Sequence, residues 1–222
     1  MFLPNPGIMA AGAGVAPVGQ QLFTASGAFV VPAGVTSICA VAIGPGAAAE
    51  YSDPLNYWIS GPGGGLAYSN DIAVTPGETL TVAVSATDCQ INRGGTALLR
   101  ASKGSVDVNT GGASGGAGSV GQVRFNGGAG GGDSGLLPSG GGAAGYASAG
   151  QNGGYAGTNG WSGLGTSPYG GGGGGSAGTA SNVAAATYGG GGGPSIGPGP
   201  GCVRMIWGPG RAFPNINTGD MA

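Results

Sequence analysis

Between residues 104 and 201 the chain places 39 of its 57 glycines and only three charged side chains, Asp107, Arg124 and Asp133. Two glycine runs are uninterrupted, 170–175 and 189–193. Glycine loses more conformational freedom on folding than any other residue and buries no side chain, so such a stretch ordinarily reads as a flexible linker. Two features oppose that reading. Ala, Val, Leu, Tyr146, Tyr155, Trp161, Tyr169 and Tyr188 punctuate the glycines, whereas solvated linkers are rich in Ser, Lys, Glu and Gln. Strand-like sequence also resumes afterwards, at Cys202-Val203-Arg204-Met205-Ile206-Trp207. Glycine has one route to order that other residues lack. Threefold extended helices have no internal hydrogen bonds, and without Cβ atoms they can pack backbone to backbone and bond one another laterally. The expectation is an insertion of packed polyglycine-II-like helices joined by turns, with aromatics plugging its faces.

The remainder of the chain reads as short strands. Gln21 to Thr24 and Phe29 to Pro32 are brief, with turns at Ala25-Ser26-Gly27 and Ala33-Gly34. Val35 to Ile43 is β-branched and apolar and is bounded by Gly44-Pro45-Gly46, the pattern of a buried strand. A loop over 47–65 carries Tyr51, Tyr57 and Trp58 and ends in glycines. Leu66 to Val74, the alternating Thr79 to Ser85, Thr96 to Ser102 and Cys202 to Trp207 follow as strands. Thr75-Pro76-Gly77-Glu78 has the Pro-Gly centre of a type II turn, and Gly208-Pro209-Gly210-Arg211 repeats it. No segment has helical periodicity. The chain therefore predicts an all-β fold: an antiparallel β-sandwich from 21–103 and 202–211, interrupted by the glycine-rich insertion 104–201. An extended arm, 1–20, precedes it and a tail, 212–222, follows. Both ends lack internal patterning and are expected to lie against other subunits.

Composition narrows the function. Charged residues make up 6% of the 222, and the net charge is −2, so the basic surface that phosphate-backbone binding requires is missing and nucleic acid is not an expected partner. A surface so poor in charge suits a protein embedded in an assembly. No window approaches 18 consecutive apolar residues, and Met1-Phe2-Leu3-Pro4-Asn5-Pro6 lacks the basic and apolar regions of a leader, so neither membrane insertion nor secretion is expected. Cys39, Cys89 and Cys202 are too few and too irregular for a disulfide framework or a zinc site and read as buried free thiols.

Catalytic chemistry is equally hard to assemble. The chain has no histidine, and its single lysine, Lys103, is not preceded by glycine as a Walker A loop requires. Gly127-Gly128-Ala129-Gly130 falls out of step with Asp133 for a calcium-binding repeat. Paired carboxylates would have to come from Glu50, Asp53, Asp71, Glu78, Asp88 and Asp107, most of them in turns. No enzyme activity, cofactor or metal is expected.

Phe23-Thr24-x-Ser26-Gly27-x-Phe29-x-Val31-Pro32-x-Gly34-Val35-Thr36, Ile72-x-Val74-Thr75-Pro76-Gly77 and Val203-Arg204-Met205-Ile206-Trp207-Gly208, followed by Gly210-Arg211-x-Phe213-Pro214-x-x-Asn217-Thr218, bracket nearly the whole chain. This frame resembles that of glycine-rich virion proteins of tailed phages, notably marine cyanophages. The closing motif with its Arg-x-Phe-Pro tail is the more specific part. The glycine stretch is also similar to the adhesins at the tips of T-even-type long tail fibres, whose packed glycine helices present loops to host receptors; here the glycine runs are fewer and less regular.

What the resemblance implies is a virion structural protein, assembled in the host cytoplasm. It would be a tail-fibre or adhesin component, or alternatively a capsid decoration or tail-associated cement protein. A self-assembling extracellular filament is a third reading of the same uncharged surface. The implied partners are other virion subunits, copies of the chain itself (a trimer included), and a host-surface glycan or outer-membrane protein. Candidate contacts are the loop aromatics Tyr51, Tyr57, Trp58, Tyr146, Tyr155, Trp161, Tyr169 and Tyr188, which serve equally as lids over glycine helices. Arg204 and Arg211 flank the last strand and are expected to pair with a carboxylate or a carbonyl.

Overall fold

A computed structural model describes residues 17–132, 139–153, 188–194 and 197–214. Most of the arm, the glycine run 170–175, Tyr155, Trp161, Tyr169 and the tail from residue 215 lie outside the described residues. Among the described residues the regular elements are all strands: β1 (Gly19–Phe23), β2 (Gly27–Val30), β3 (Ser37–Ile43), β4 (Glu50–Ser52), β5 (Tyr57–Ile59), β6 (Leu66–Ala73) and β7 (Thr79–Val84). They continue as β8 (Asp88–Arg93), β9 (Thr96–Ser102), β10 (Ser105–Asp107), β11 (Gly112–Ser114), β12 (Gly118–Val120), β13 (Val123–Phe125) and β14 (Cys202–Trp207). All pairings are antiparallel.

Two five-stranded sheets have the orders β1-β14-β3-β6-β13 and β12-β9-β8-β7-β2. One hydrophobic cluster draws on both. It joins Phe23, Ile38, Ala40, Ala42, Ala67, Val203 and Met205 of the first sheet to Phe29, Leu80, Val82, Cys89, Ile91, Leu99 and Ala101 of the second. Burying each of the larger side chains stabilises the fold by roughly 1.5–3 kcal/mol. The period-two alternation of β7 follows directly, with Leu80 and Val82 inside and Thr79 and Thr81 exposed. β3 does not alternate because both its faces are covered. Its other set, Cys39, Val41 and Ile43, joins a second cluster with Leu66, Tyr68, Ile206, Ala144, Tyr146 and Phe213. The turns fall where the Pro-Gly and Ala-Gly signals place them, and Gly34 (φ 81°) and Gly77 (φ 82°) adopt left-handed conformations that a side chain would strain.

Beyond one end of these sheets the glycines form a body of their own. Its middle is Ser60-Gly61-Pro62-Gly63-Gly64-Gly65, neither helical nor paired as a strand. The N–H groups of Ser60, Gly61, Gly63, Gly64 and Gly65 donate to the carbonyls of Gly131, Gly192, Gly128, Gly189 and Ser102. The carbonyls of Gly61, Pro62, Gly63, Gly64 and Gly65 accept from the N–H groups of Gly141, Ala47, Gly116, Ala144 and Gly44. One segment is thus bonded laterally to six others. At several glycines the packing leaves no space for a side chain: a Cβ on Gly64 would fall onto the Gly44 carbonyl oxygen, and one on Gly191 onto that of Gly61. Residues 44–47 and 60–65, upstream of the glycine-rich stretch, are part of this body, while 118–125 within the stretch supplies β12 to one sheet and β13 to the other.

Candidate functional site

The chain leaves the sheets at Gly44, crosses the glycine body, forms a hairpin from β4 and β5, and re-crosses the body at 60–65 to enter β6. The hairpin therefore stands on the far side of the glycine segments from the sheets. Pro17 lies at the opposite end, beside the Gly34 turn, and Val18 beside Gly208.

Register sorts the hairpin's residues by face. Ser52 and Ile59 are fully buried, whereas Tyr51 and Trp58, directly opposed across the strands, point outward at 42% and 37% exposure. Their rings meet edge to face, with centroids 5.5 Å apart at 65°, a geometry aromatic quadrupoles favour. The Tyr51 hydroxyl donates to Asn56 Oδ1 at 2.6 Å. Asn56 closes the loop with φ 58°, a conformation Asn tolerates better than most residues, and its N–H returns to the Ser52 carbonyl at 2.7 Å. The pair is thereby held by contacts within the hairpin itself.

A second hairpin, β10–β11, braces the first. The Ser52 hydroxyl donates to the Val108 carbonyl at 2.5 Å and accepts from the Leu55 N–H at 3.3 Å. The Tyr57 hydroxyl lies against Gly111, where φ is 73°. Asp107 orders the bracing loop: Oδ2 accepts from the Thr110 hydroxyl at 2.8 Å and Oδ1 from the Asn109 N–H at 3.0 Å. These bonds, the hydroxyl's foremost, hold the Asp107 carboxyl below the usual carboxylate range. An isolated bridge from Ile59 to Gly132 ties the same hairpin to the glycine body.

The other loop aromatics go elsewhere. Tyr146 is 4% exposed, stacked on Phe213 at 5.5 Å and tilted against Tyr68 at 6.0 Å. Burial pushes its phenol pKa up. Tyr188 is half-buried against the same cluster. Both cover the outer face of the first sheet because that face is apolar and the glycine segments offer it little more than the methyl of Ala144. Tyr155, Trp161 and Tyr169 fall outside the described residues. The structure thus brings Tyr51, Tyr57 and Trp58 together and separates Tyr146 and Tyr188 from them. Reading residues 47–65 as a loop missed the hairpin, although Tyr57-Trp58-Ile59 has strand chemistry.

The titratable groups are dispersed. Glu78 pairs with Arg93 at 2.5 Å and Asp88 with Arg100 at 2.6 Å. Arg204 donates to Gln20 and Arg211 to the Gly19 carbonyl at 2.7 Å, both fastening the last strand to β1. The three cysteines are free and buried, and desolvation pushes Cys89 up to about 12. An open cleft of about 420 Å³, lined by Thr36, Cys39, Asp71, Trp207 and Arg211 among others, opens at the end of the sheets away from the glycine body. Among the described residues no three His, Cys, Asp or Glu side chains converge as a metal site would require, and no helix is long and apolar enough to cross a membrane. No protein-family model matches the chain, and no curated protein matches it.

Proposed function

We propose that the chain is a phage virion protein, a tail-fibre or adhesin component that touches the host through the outer face of the β4–β5 hairpin. The observation that carries this reading is the exposed Tyr51–Trp58 pair, preset by Asn56 and seated on backbone-bonded glycine segments at the end away from Pro17. Loops on a rigid scaffold are where recognition residues concentrate, and exposed rings in edge-to-face contact beside Asn and Asp side chains suit a host-surface glycan or an outer-membrane protein loop. The resemblance of the opening and closing frames to phage glycine-rich proteins supplies the virion context. Two architectural readings go with it. The paired sheets, sharing one core cluster, are a β-sandwich, and the glycine segments are polyglycine-II-like helices, a reading supported by the six lateral neighbours of 60–65.

The test is a virion carrying Tyr51→Ala and Trp58→Ala. Adsorption to host cells should fall at least tenfold with particle yield unchanged. Unchanged adsorption overturns the adhesin reading, and immunogold label distributed over the head would then assign the chain to capsid decoration. Absence of label from virions would leave the filament.

A further inference from the structure

The two flanks of the paired sheets are built differently. On one, β12 and β13 have three residues each, β12 shifts register against β9, and β13 carries Arg124. Short strands, a bulge and a charge are the devices by which proteins stop sheet edges from pairing with other chains. The strands of the opposite flank have no register shift and no charged residue of their own. There β1 and β2, consecutive in the chain, form the edges of both sheets. They pair inward over five and four residues without a shift, and neither contains a charge or a proline. Val18, just before β1, is 64% exposed, and Leu22 of β1 and Val30 of β2, on the outer faces of their two sheets, are 38% and 59% exposed. The only other exposed large hydrophobics among the described residues are Tyr51 and Trp58.

The arm arrives at the same flank. Residues 1–16 contain no charge, and 7–16 contain no proline, so ten consecutive residues can join a hydrogen-bond ladder. A two-residue hairpin laying this segment back on its own β1 would need left-handed backbone at Pro17 or Val18. Proline cannot adopt it, and neither residue has positive φ. Sixteen extended residues reach up to roughly 50 Å, enough to meet a neighbouring molecule.

We infer that the β1–β2 flank is a docking edge for a second copy of this chain. Residues 7–16 of one molecule add as a strand to the β1 edge of the next, and an apolar side chain of the added strand covers Leu22, while Val30 lies on the outer face of the neighbouring edge strand β2. Main-chain bonds supply the affinity and the apolar side chains the register, as in other strand-addition complexes.

Light scattering after size exclusion tests this on the purified chain, independently of host adsorption. The full chain should be oligomeric. A chain beginning at Pro17, and a full chain carrying Leu22→Lys and Val30→Lys, should both be monomeric with thermal melts within a few degrees of the parent. A labelled peptide of residues 1–16 should bind the chain beginning at Pro17 and lose at least tenfold in affinity when Leu22→Lys and Val30→Lys are added. An oligomer that survives both changes, a monomeric full chain, or peptide binding indifferent to the lysines overturns the inference.

Discussion

Arg204 donates from both Nε and Nη2 to the single Oε1 of Gln20, at 3.1 and 2.6 Å. The guanidinium is 2% exposed, so a charge brought out of water on β14 is answered by a neutral amide on β1. Removing that acceptor leaves the charge short of a partner. Gln20→Ala should cost about 1–3 kcal/mol in denaturant unfolding, whereas Gln21→Ala, one residue along, should stay within about 0.5 kcal/mol.

Gly191→Val should destabilise the chain by the upper end of the roughly 1–3 kcal/mol typical of overpacking, or by more, because the added Cβ meets the Gly61 carbonyl rather than a movable side chain. Hydrogen exchange gives the companion measurement. The amides of Gly61, Gly63 and Gly64, bonded to other segments, should be protected like those of β3, and exchange at free-peptide rates would contradict the bonding described.

Acid should weaken the fold through two carboxyls. Glu78 is held below the usual range first by the Thr75 N–H and then by Arg93, and Asp107 by Thr110 and Asn109. A depressed folded-state pKa contributes stability that is complete above the unfolded value, about 4, and is lost as pH falls through the folded value. Unfolding midpoints should therefore be flat above about pH 5 and decline below about pH 4. The Glu78→Gln, Asp107→Asn double variant should decline less.

Thiol chemistry should report on opening rather than on reactivity. Cys89 is pushed up to about 12 by burial, and Cys202 and Cys39 are raised by the same cause. An aromatic disulfide reagent at about pH 8 should modify none of the three in the native protein and all three in denaturant, since the thiolate is the attacking species. Cys39, which lines the open cleft, should be reached first on partial unfolding.

The sheets were largely legible in the sequence wherever one face meets water or a run is wholly apolar. Thr96–Ser102 and Cys202–Trp207 match residue for residue, and the run from Val35 contains β3. β8 escaped because Asp88, Gln90, Asn92 and Arg93 dominate its composition. Yet Cys89 and Ile91, two apart, are its buried pair, and that alternation was present to be read. That glycine segments bond one another through their main chains was legible in the sequence, but which segments take part was not. The bonds join residues such as Gly46 and Gly199, and nothing local tells a glycine in a loop from one bonded to a distant segment. The aromatics show the same limit. Trp58 and Tyr146 both sit just outside glycine segments, and only the apolar face behind Tyr146 draws it inside.

A contact made by main chain against main chain is indifferent to what the intervening residues are. Gly153 N–H is bonded to the Ala129 carbonyl and Gly189 N–H to that of Pro200. Neither bond asks anything of a side chain beyond room for the backbones to meet. What is constrained at Gly64 or Gly191 is thus the absence of a Cβ rather than the presence of any chemistry.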